Sequence, residues 1–393
     1  MKSLGMPSRN HINFLLITVL LAFSACTEPF EVETTDFQDI LIINASITTE
    51  SKQHEIYISR SYEEGDEEVQ VSGATVEVLI NGGSSIGFEQ TSPGIYRSNV
   101  EFAAEPGVDY QLRVIDENGE MFTSSQVQLT APTTIDDIRA RRVLNQNGED
   151  GVEIYVDGTS TGESEGYFRY EYEETYKIES FYKPLQEFRI VTESPPLLEI
   201  INKEREERIC YVTEASNSIL IAETNNLSED KVMDFPVRFI ERRDRRIAHR
   251  YSILVKQYAQ TNVSYEFYQT LKSFSSSDNL FSQPQPGLIV GNVRHMNDDS
   301  VKVVGLFEAV SFTTSRFFFS FQEIFGNDIP FLDDCGFDRY SSLSDPELFQ
   351  RIESGQYKYI GEDPPFVYQV APAKCVDCTL LGSNEVPDFW EEQ

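Results

Sequence analysis

Histidine and cysteine, which often build catalytic and metal sites, are scarce in this chain. Its 393 residues include 4 histidines and 5 cysteines. His54, His249 and His295 do not stand at the spacing of metal ligands, and the chain has neither a His-Glu-x-x-His motif nor a second Cys-x-x-Cys. This scarcity predicts a protein that uses no metal or other cofactor and is not an enzyme.

Positive charge is scarce as well. Lysine and arginine together number 32 against 65 acidic residues, so the formal net charge is -33. A surface of this sign repels the phosphates of nucleic acid, so no nucleic-acid partner is expected. The hydrophobic content of 40% is high enough to build a core and excludes a disordered chain.

Long apolar runs are absent after the N-terminal segment, and the run within that segment is short. Residues 14–23 are apolar, whereas a membrane-spanning helix needs about 20 such residues. The run follows Lys2 and Arg9 and precedes two small residues and Cys26. A basic start, a short apolar core and small residues before a cysteine are typical of a bacterial lipoprotein signal peptide.

The N-terminal pattern therefore predicts a lipid anchor. Residues 1–25 are expected to be removed as a signal peptide, and Cys26 is expected to be acylated and to hold the protein on a membrane. Residues 26–36 are polar and acidic and are interpreted as a tether. The alternative is an ordinary secretory signal peptide with a coincidental cysteine.

Four further cysteines remain, Cys210, Cys335, Cys375 and Cys378. An even number in an exported protein favours two disulfides, and three pairings are possible. The Cys-Val-Asp-Cys spacing at 375–378 could instead be half of a zinc site, but two more ligands would be needed. The disulfide interpretation is preferred, and the pairing stays open.

Alternating apolar and polar residues predict a mostly β protein. Short strands separated by turn signals fill residues 37–131, which are interpreted as an Ig-like β-sandwich domain. Residues 135–393 are interpreted as a β-rich α+β domain with one or two short helices. One helix is indicated by apolar residues at helical spacing in 263–274, and another by the N-terminal capping signal at 344–347.

Two motifs resemble functional sites but have simpler explanations. Residues 83–87 match Gly-x-Ser-x-Gly, yet a hairpin turn rather than a helix is expected there, so a nucleophile elbow is not predicted. The acidic stretch 63–68 lacks the ligand spacing of a calcium loop and is interpreted as a solvated loop.

A cluster of arginines stands out in this acidic chain. Arg242, Arg243, Arg245 and Arg246 lie between two strand patterns, with Arg250 shortly after. One interpretation is a hairpin tip whose guanidinium groups pair with the protein's own carboxylates. The other is a docking point for an acidic partner, because arginine forms bidentate pairs with carboxylates.

Seven segments follow the lipoprotein signal, residues 72–78, 94–96, 265–268, 280–284, 291–293, 375–379 and 387–390. In this order they resemble the DUF4249 family of lipoproteins from Bacteroidota, whose function is uncharacterised. The resemblance covers almost the whole chain after the signal peptide, with departures at 384–386 and Asp388. It implies residence on the outer membrane and gene neighbourhoods with TonB-dependent receptors, and it implies no enzymatic activity.

These observations favour a non-enzymatic binding or accessory lipoprotein of the cell envelope, at the outer membrane. The resemblance implies a TonB-dependent transporter as its partner and nutrient uptake as its context. Two alternatives stay open, a structural envelope lipoprotein and a hydrolase with a nonstandard site.

Acylation of Cys26 is the first testable prediction. Mass spectrometry of the membrane-extracted protein should find Cys26 at the mature N-terminus with the mass of its acyl chains. A Cys26→Ala variant should lose the lipid and leave the membrane fraction. A mature chain that starts elsewhere and carries no lipid would contradict the prediction.

Overall fold

The predicted signal peptide, Cys26, the tether, the acidic loop at 63–68 and the motif at 280–284 lie outside the part of the chain that the structure describes. In the described part, no helix is both long and apolar enough to cross a membrane. The computed structural model describes residues 39–61, 69–161, 166–224, 231–275, 289, 291–331 and 333–392.

Strands dominate the described residues, so the prediction of a mostly β protein is confirmed. Three α-helices accompany them, α1 (Asn262–Ser275), α2 (Phe321–Phe325) and α3 (Pro346–Glu353). The strands, numbered along the chain, are β1 (Leu41–Thr48), β2 (Glu55–Arg60), β3 (Val69–Gln70), β4 (Thr75–Ile80), β5 (Ser84–Ser92), β6 (Ile95–Ser98), β7 (Tyr110–Ile115), β8 (Met121–Ser124), β9 (Thr133–Leu144), β10 (Asp150–Ser160), β11 (Tyr167–Glu179), β12 (Gln186–Glu193), β13 (Pro196–Asn202), β14 (Ile209–Ala215), β15 (Leu220–Glu223), β16 (Lys231–Glu241), β17 (Arg250–Gln260), β18 (Val293–His295), β19 (Val303–Val310), β20 (Phe312–Ser320), β21 (Asp338–Tyr340), β22 (Tyr357–Asp363) and β23 (Val367–Pro372).

The first sheet has 10 strands, in the order β18-β8-β7-β4-β5-β6-β2-β1-β19, with β3 paired to β2. All its pairs are antiparallel except β1 with β19, which is parallel. Period-two alternation directs Leu41, Ile43, Ala45 and Ile47 of β1 into the core of this sheet. The opposite face of β1 is therefore available to meet another part of the molecule.

The first sheet curls until its two end strands lie side by side. The Asn292 backbone N–H donates to the Gly305 carbonyl at 3.0 Å, and the Asn292 side-chain amide donates to the Phe307 carbonyl at 2.7 Å. A Cβ at Gly305 would lie 2.7 Å from the Cβ of Val293, closer than such atoms approach. Glycine at this position therefore permits the contact between β18 and β19.

Strands β18 and β19 come from residues 293–310, although they complete the first sheet. The sequence-based division ends the first unit at residue 131 and assigns these residues to the second. In the structure, β18 and β19 instead belong to the first sheet, where β19 pairs in parallel with β1. The chain therefore returns to the first sheet after it has formed strands of the second unit. An Ig-like sandwich, the finer part of the fold prediction, is not confirmed.

Two further sheets share a second core. One has the order β16-β10-β9, and the other β14-β11-β17-β20 with β15 also paired to β11. Val152, Ile154 and Val156 of β10 meet Phe168 and Tyr170 of β11 in this core. The alternate residues of β11 point away from it, and these include the charged groups described below.

The C-terminal part consists of the sheet β21-β23-β22 and α3, and the β12–β13 hairpin from the middle of the chain packs against it. Helix α3 begins where the capping signal predicts, since the Asp345 carboxylate accepts from the N–H groups of Glu347 at 2.8 Å and Leu348 at 3.2 Å. The helix predicted in 263–274 is α1, whereas α2 is a short helix that the sequence analysis did not identify.

The four cysteines lie in two disulfide pairs. Cys210 pairs with Cys378, with Cα atoms 5.6 Å apart, and Cys335 pairs with Cys375, with Cα atoms 6.0 Å apart. The two cysteines of the Cys-Val-Asp-Cys segment therefore have different partners. Cys210 lies on β14, so its bridge ties the tail to the second core.

The disulfides generate the second prediction. Cys210→Ser should lower the melting temperature of the full-length protein, because loss of a native bridge typically costs about 2–5 kcal/mol in small secreted domains. Cys335→Ser should lower it less, since its bridge spans a sequence separation of 40 residues rather than 168. Alkylation of the native, unreduced protein should label no thiol, and stoichiometric labelling of Cys375 and Cys378 would contradict the pairing.

Candidate ligand-binding cleft

The candidate site is a cleft of about 490 Å³ between the first sheet and the sheet that contains β11 and β17. Small-molecule sites generally have volumes of about 300–1,000 Å³. Side chains that point away from the two cores form its walls, because alternate residues of a strand face opposite sides. The walls include Asn44 and Ser46 of β1, Arg169 of β11, Lys256 and Tyr258 of β17, and Tyr268 of α1.

Arg169 is the most deeply buried charge at the cleft, with 8% of its surface exposed. Its guanidinium forms ion pairs with Glu171 on the same strand and, at 3.4 Å, with Glu308 of β19. It also lies over the rings of Tyr258 and Tyr268, 4.2 and 4.8 Å from their centroids. A planar guanidinium can stack on aromatic rings and pair with carboxylates at once. Arg169 therefore connects β11, β17, β19 and α1.

The surroundings keep Arg169 and the two tyrosines of this cluster protonated at neutral pH. Burial disfavours the charged form of Arg169, but the carboxylates of Glu308 and Glu171 outweigh burial and raise its pKa. Burial also raises the pKa of both Tyr258 and Tyr268, so these hydroxyls stay protonated at neutral pH. The Tyr258 hydroxyl donates to the Glu171 carboxylate at 3.0 Å. The cluster therefore contains one arginine, Arg169, that pairs with two carboxylates, those of Glu171 and Glu308.

Lys256 differs from the other charged groups of the cleft. Lys52 pairs with Glu50 at 2.7 Å, and Glu55 pairs with Arg97 at 2.6 Å. Lys256 is half-buried on β17, and no carboxylate of the described residues forms an ion pair with it. An ammonium group with no such partner thus faces the cleft.

Some buried polar atoms around the cleft also lack partners among the described residues. They are Ser46 Oγ, Arg169 Nε and Gln260 Oε1. Ser46 lines the cleft itself, whereas Gln260 and Glu308 line a second cavity of about 410 Å³ beside the start of α1. Because buried polar atoms are normally hydrogen-bonded, water or a ligand is needed to satisfy them.

The histidines are separated and have different partners. His54 lines the cleft but is 1% exposed, and its ring Nε2 donates to the Phe102 carbonyl at 3.0 Å. Burial lowers the pKa of His54, so its ring is neutral at pH 7. His249 and His295 contact carboxylates elsewhere. Within the described ranges, no three His, Cys, Asp or Glu side chains cluster as a metal site would require.

The arginine cluster lies at the turn between β16 and β17, where three of its members pair with carboxylates of this chain. This geometry is the internal pairing that one of the two interpretations expected. Arg243 is exposed, and no ion pair joins it to another described residue. The pairs are Arg242 with Asp150 and Asp328, Arg245 with Asp333, and Arg246 with Asp244, Glu174 and Glu214.

The Gly-x-Ser-x-Gly segment forms a turn that leads into a strand. Asn81 and Gly82 adopt positive φ values of 49° and 65°, and β5 begins at Ser84. A nucleophile elbow needs a helix after the serine. The segment therefore has the backbone of a hairpin, as the sequence indicated.

The sequence analysis did not identify Arg169, Glu308 or Tyr268. Their positions, up to 139 residues apart, come together only through the packing of the two units. Local signals were present, since Arg169 stands in a tyrosine-rich strand and Glu308 interrupts an otherwise apolar one. A charge inside a strand pattern indicates a buried pair, but it does not identify the partner.

The buried pair generates the third prediction. Arg169→Met should lower the free energy of unfolding by about 3–5 kcal/mol, because Glu308 would remain buried without its cation. Arg141→Met is a matched control, since the Arg141 side chain is 54% exposed and pairs with Asp234 at the surface. Such surface pairs contribute about 0–1 kcal/mol. Chemical denaturation measures the free energy of unfolding of both variants. An equal decrease in the two would contradict the prediction that the buried Arg169 pair contributes more than a surface pair.

Comparison with known proteins identifies the family but adds no activity. The model of a family described as a domain of unknown function, DUF4249, matches residues 27–316. No curated protein matches the chain. Among solved structures, a DUF4785 family protein from Legionella pneumophila subsp. pneumophila strain Philadelphia 1 is 8% identical; the match covers 50% of this chain and 56% of that chain, with a TM-score of 0.18. That likeness is too low to support an argument. Since the family match extends over more than half of the chain, this protein belongs to the DUF4249 family.

Proposed function

We propose that this protein is a lipid-anchored, non-enzymatic binding protein of the outer membrane that acts as the accessory partner of a TonB-dependent transporter in nutrient uptake. The observation that carries the binding role is the cleft between the two β units. Its size suits a small molecule, and it has an ammonium group and a hydroxyl without partners among the described residues.

The chemistry of the cleft supports binding rather than reaction. Acid–base catalysis needs a titratable group within hydrogen-bond reach of the reacting atoms and with a pKa near the working pH. Here the Glu171 carboxylate is engaged by Arg169 and Tyr258, and His54 donates to a backbone carbonyl. These groups are held in static contacts, which suit a rigid recognition surface.

The proposed site of contact with the transporter is the turn between β16 and β17. Its arginines provide positive charge in a chain of net charge -33, so an acidic rim on the partner would be attracted there. Arg243 is the best-placed group because it is exposed and forms no ion pair with other described residues. Arg242, Arg245 and Arg246 already neutralise internal carboxylates and would support the turn.

The fourth prediction tests the partnership. The protein, solubilised in detergent from its native host, should co-purify with a TonB-dependent transporter. Arg243→Glu should reduce that yield, and more strongly at low salt, because charges at a rim mainly affect the association rate. Its melting temperature should stay near that of the wild type.

A charge-matched control is Arg294→Glu, an exposed arginine on β18 in the first sheet. Reversal of Arg246 is unsuitable, because it would place a carboxylate against Glu174, which is 3% exposed. Failure to recover any transporter would contradict the partnership. If both variants recover the same amount of transporter, the partnership stands, but the contact does not lie at Arg243.

A further inference from the structure

The structure points to a ligand class for the cleft. We infer that the cleft binds a small monocarboxylate that also carries hydroxyl groups, and that Lys256 binds the carboxylate. The inference rests on the proposed binding function and specifies its substrate.

Lys256 is placed to receive an anion. It lies on β17 between Thr314 of β20 and Glu171 of β11 in the strand register. Glu171, its natural cross-strand partner, is instead held by Arg169 and by the Tyr258 hydroxyl. The ammonium group of Lys256 forms no ion pair with a described residue and can therefore pair with an external carboxylate, and partial burial strengthens such a pair relative to bulk water.

The fixed charges around Lys256 restrict the anion to a single charge. Arg169 faces two carboxylates, Glu171 and Glu308, so this group of three carries one excess negative charge beside the cleft, and that charge disfavours a dianion such as a phosphate monoester. Lys52 offers little further attraction, because Glu50 neutralises it at 2.7 Å. Arg169 offers no free positive charge either, because it pairs with both Glu171 and Glu308. One cation without a protein partner matches one carboxylate.

The rest of the lining suits hydroxyl groups. The Ser46 hydroxyl and the Asn44 amide have no hydrogen-bond partner among the described residues, and both lie on the β1 wall. Gln53 donates through Nε2 to the Ser98 carbonyl and offers its Oε1 as an acceptor. A hydroxyl both donates and accepts, so it can satisfy these groups together, whereas an apolar ligand would leave them unpaired.

The test uses the full-length protein in detergent and three probes, D-glucuronate, D-glucose and acetate. Isothermal titration at low ionic strength should show saturable binding of glucuronate and weaker binding of the other two. Lys256→Met should weaken glucuronate binding about tenfold or more, since it removes a charge-assisted hydrogen bond. Ser46→Ala should have a smaller effect in the same direction.

Lys374→Met is the matched control, because Lys374 is exposed in the C-terminal tail and does not line the cleft. It should leave glucuronate binding unchanged, and all variants should keep the melting temperature of the wild type. Glucose binding as tight as glucuronate binding, or an unchanged affinity in Lys256→Met, would overturn the role of Lys256. Acetate binding as tight as glucuronate binding would overturn the role of the hydroxyl groups.

Absence of glucuronate binding would overturn the ligand class. The partnership with a transporter is judged separately by co-purification, so its failure and the failure of this inference can be told apart.

Discussion

The contact between Arg169 of β11 and Glu308 of β19 joins the two β units of this protein. Neither charge can be buried alone, because each would lose its hydration without compensation. The pair is therefore made only when β19 lies against β11, and the rings of Tyr258 and Tyr268 complete the enclosure of the guanidinium.

This constraint also explains why the chain returns to the first sheet after building much of the second unit. Strand β19 pairs in parallel with β1, and its Glu308 side chain contacts Arg169 of the second unit. Strand β20 follows directly and pairs with β17. One stretch of chain thus belongs to both units, so the outward face of β1 is held opposite Lys256, and the cleft does not depend on a flexible linker.

Local patterns in the sequence account for much of the fold. The mostly β class follows from alternation, and α1 and α3 follow from spacing and from the Asp345 cap. The number of disulfides follows from the count of cysteines, but their pairing does not, because Cys210 and Cys378 are 168 residues apart. The cleft was missed for the same reason, since its charges become neighbours only through long-range packing that no local pattern encodes.

The central claim is that the cleft beside the Arg169–Glu308 contact is where this protein binds its ligand. Hydrogen–deuterium exchange of the full-length protein, with and without D-glucuronate, tests this claim most directly. The account predicts that the ligand slows exchange in peptides that cover β1, β17 and α1, and leaves the C-terminal part unchanged. Slower exchange confined to other regions, or no change anywhere at a saturating concentration, would contradict it.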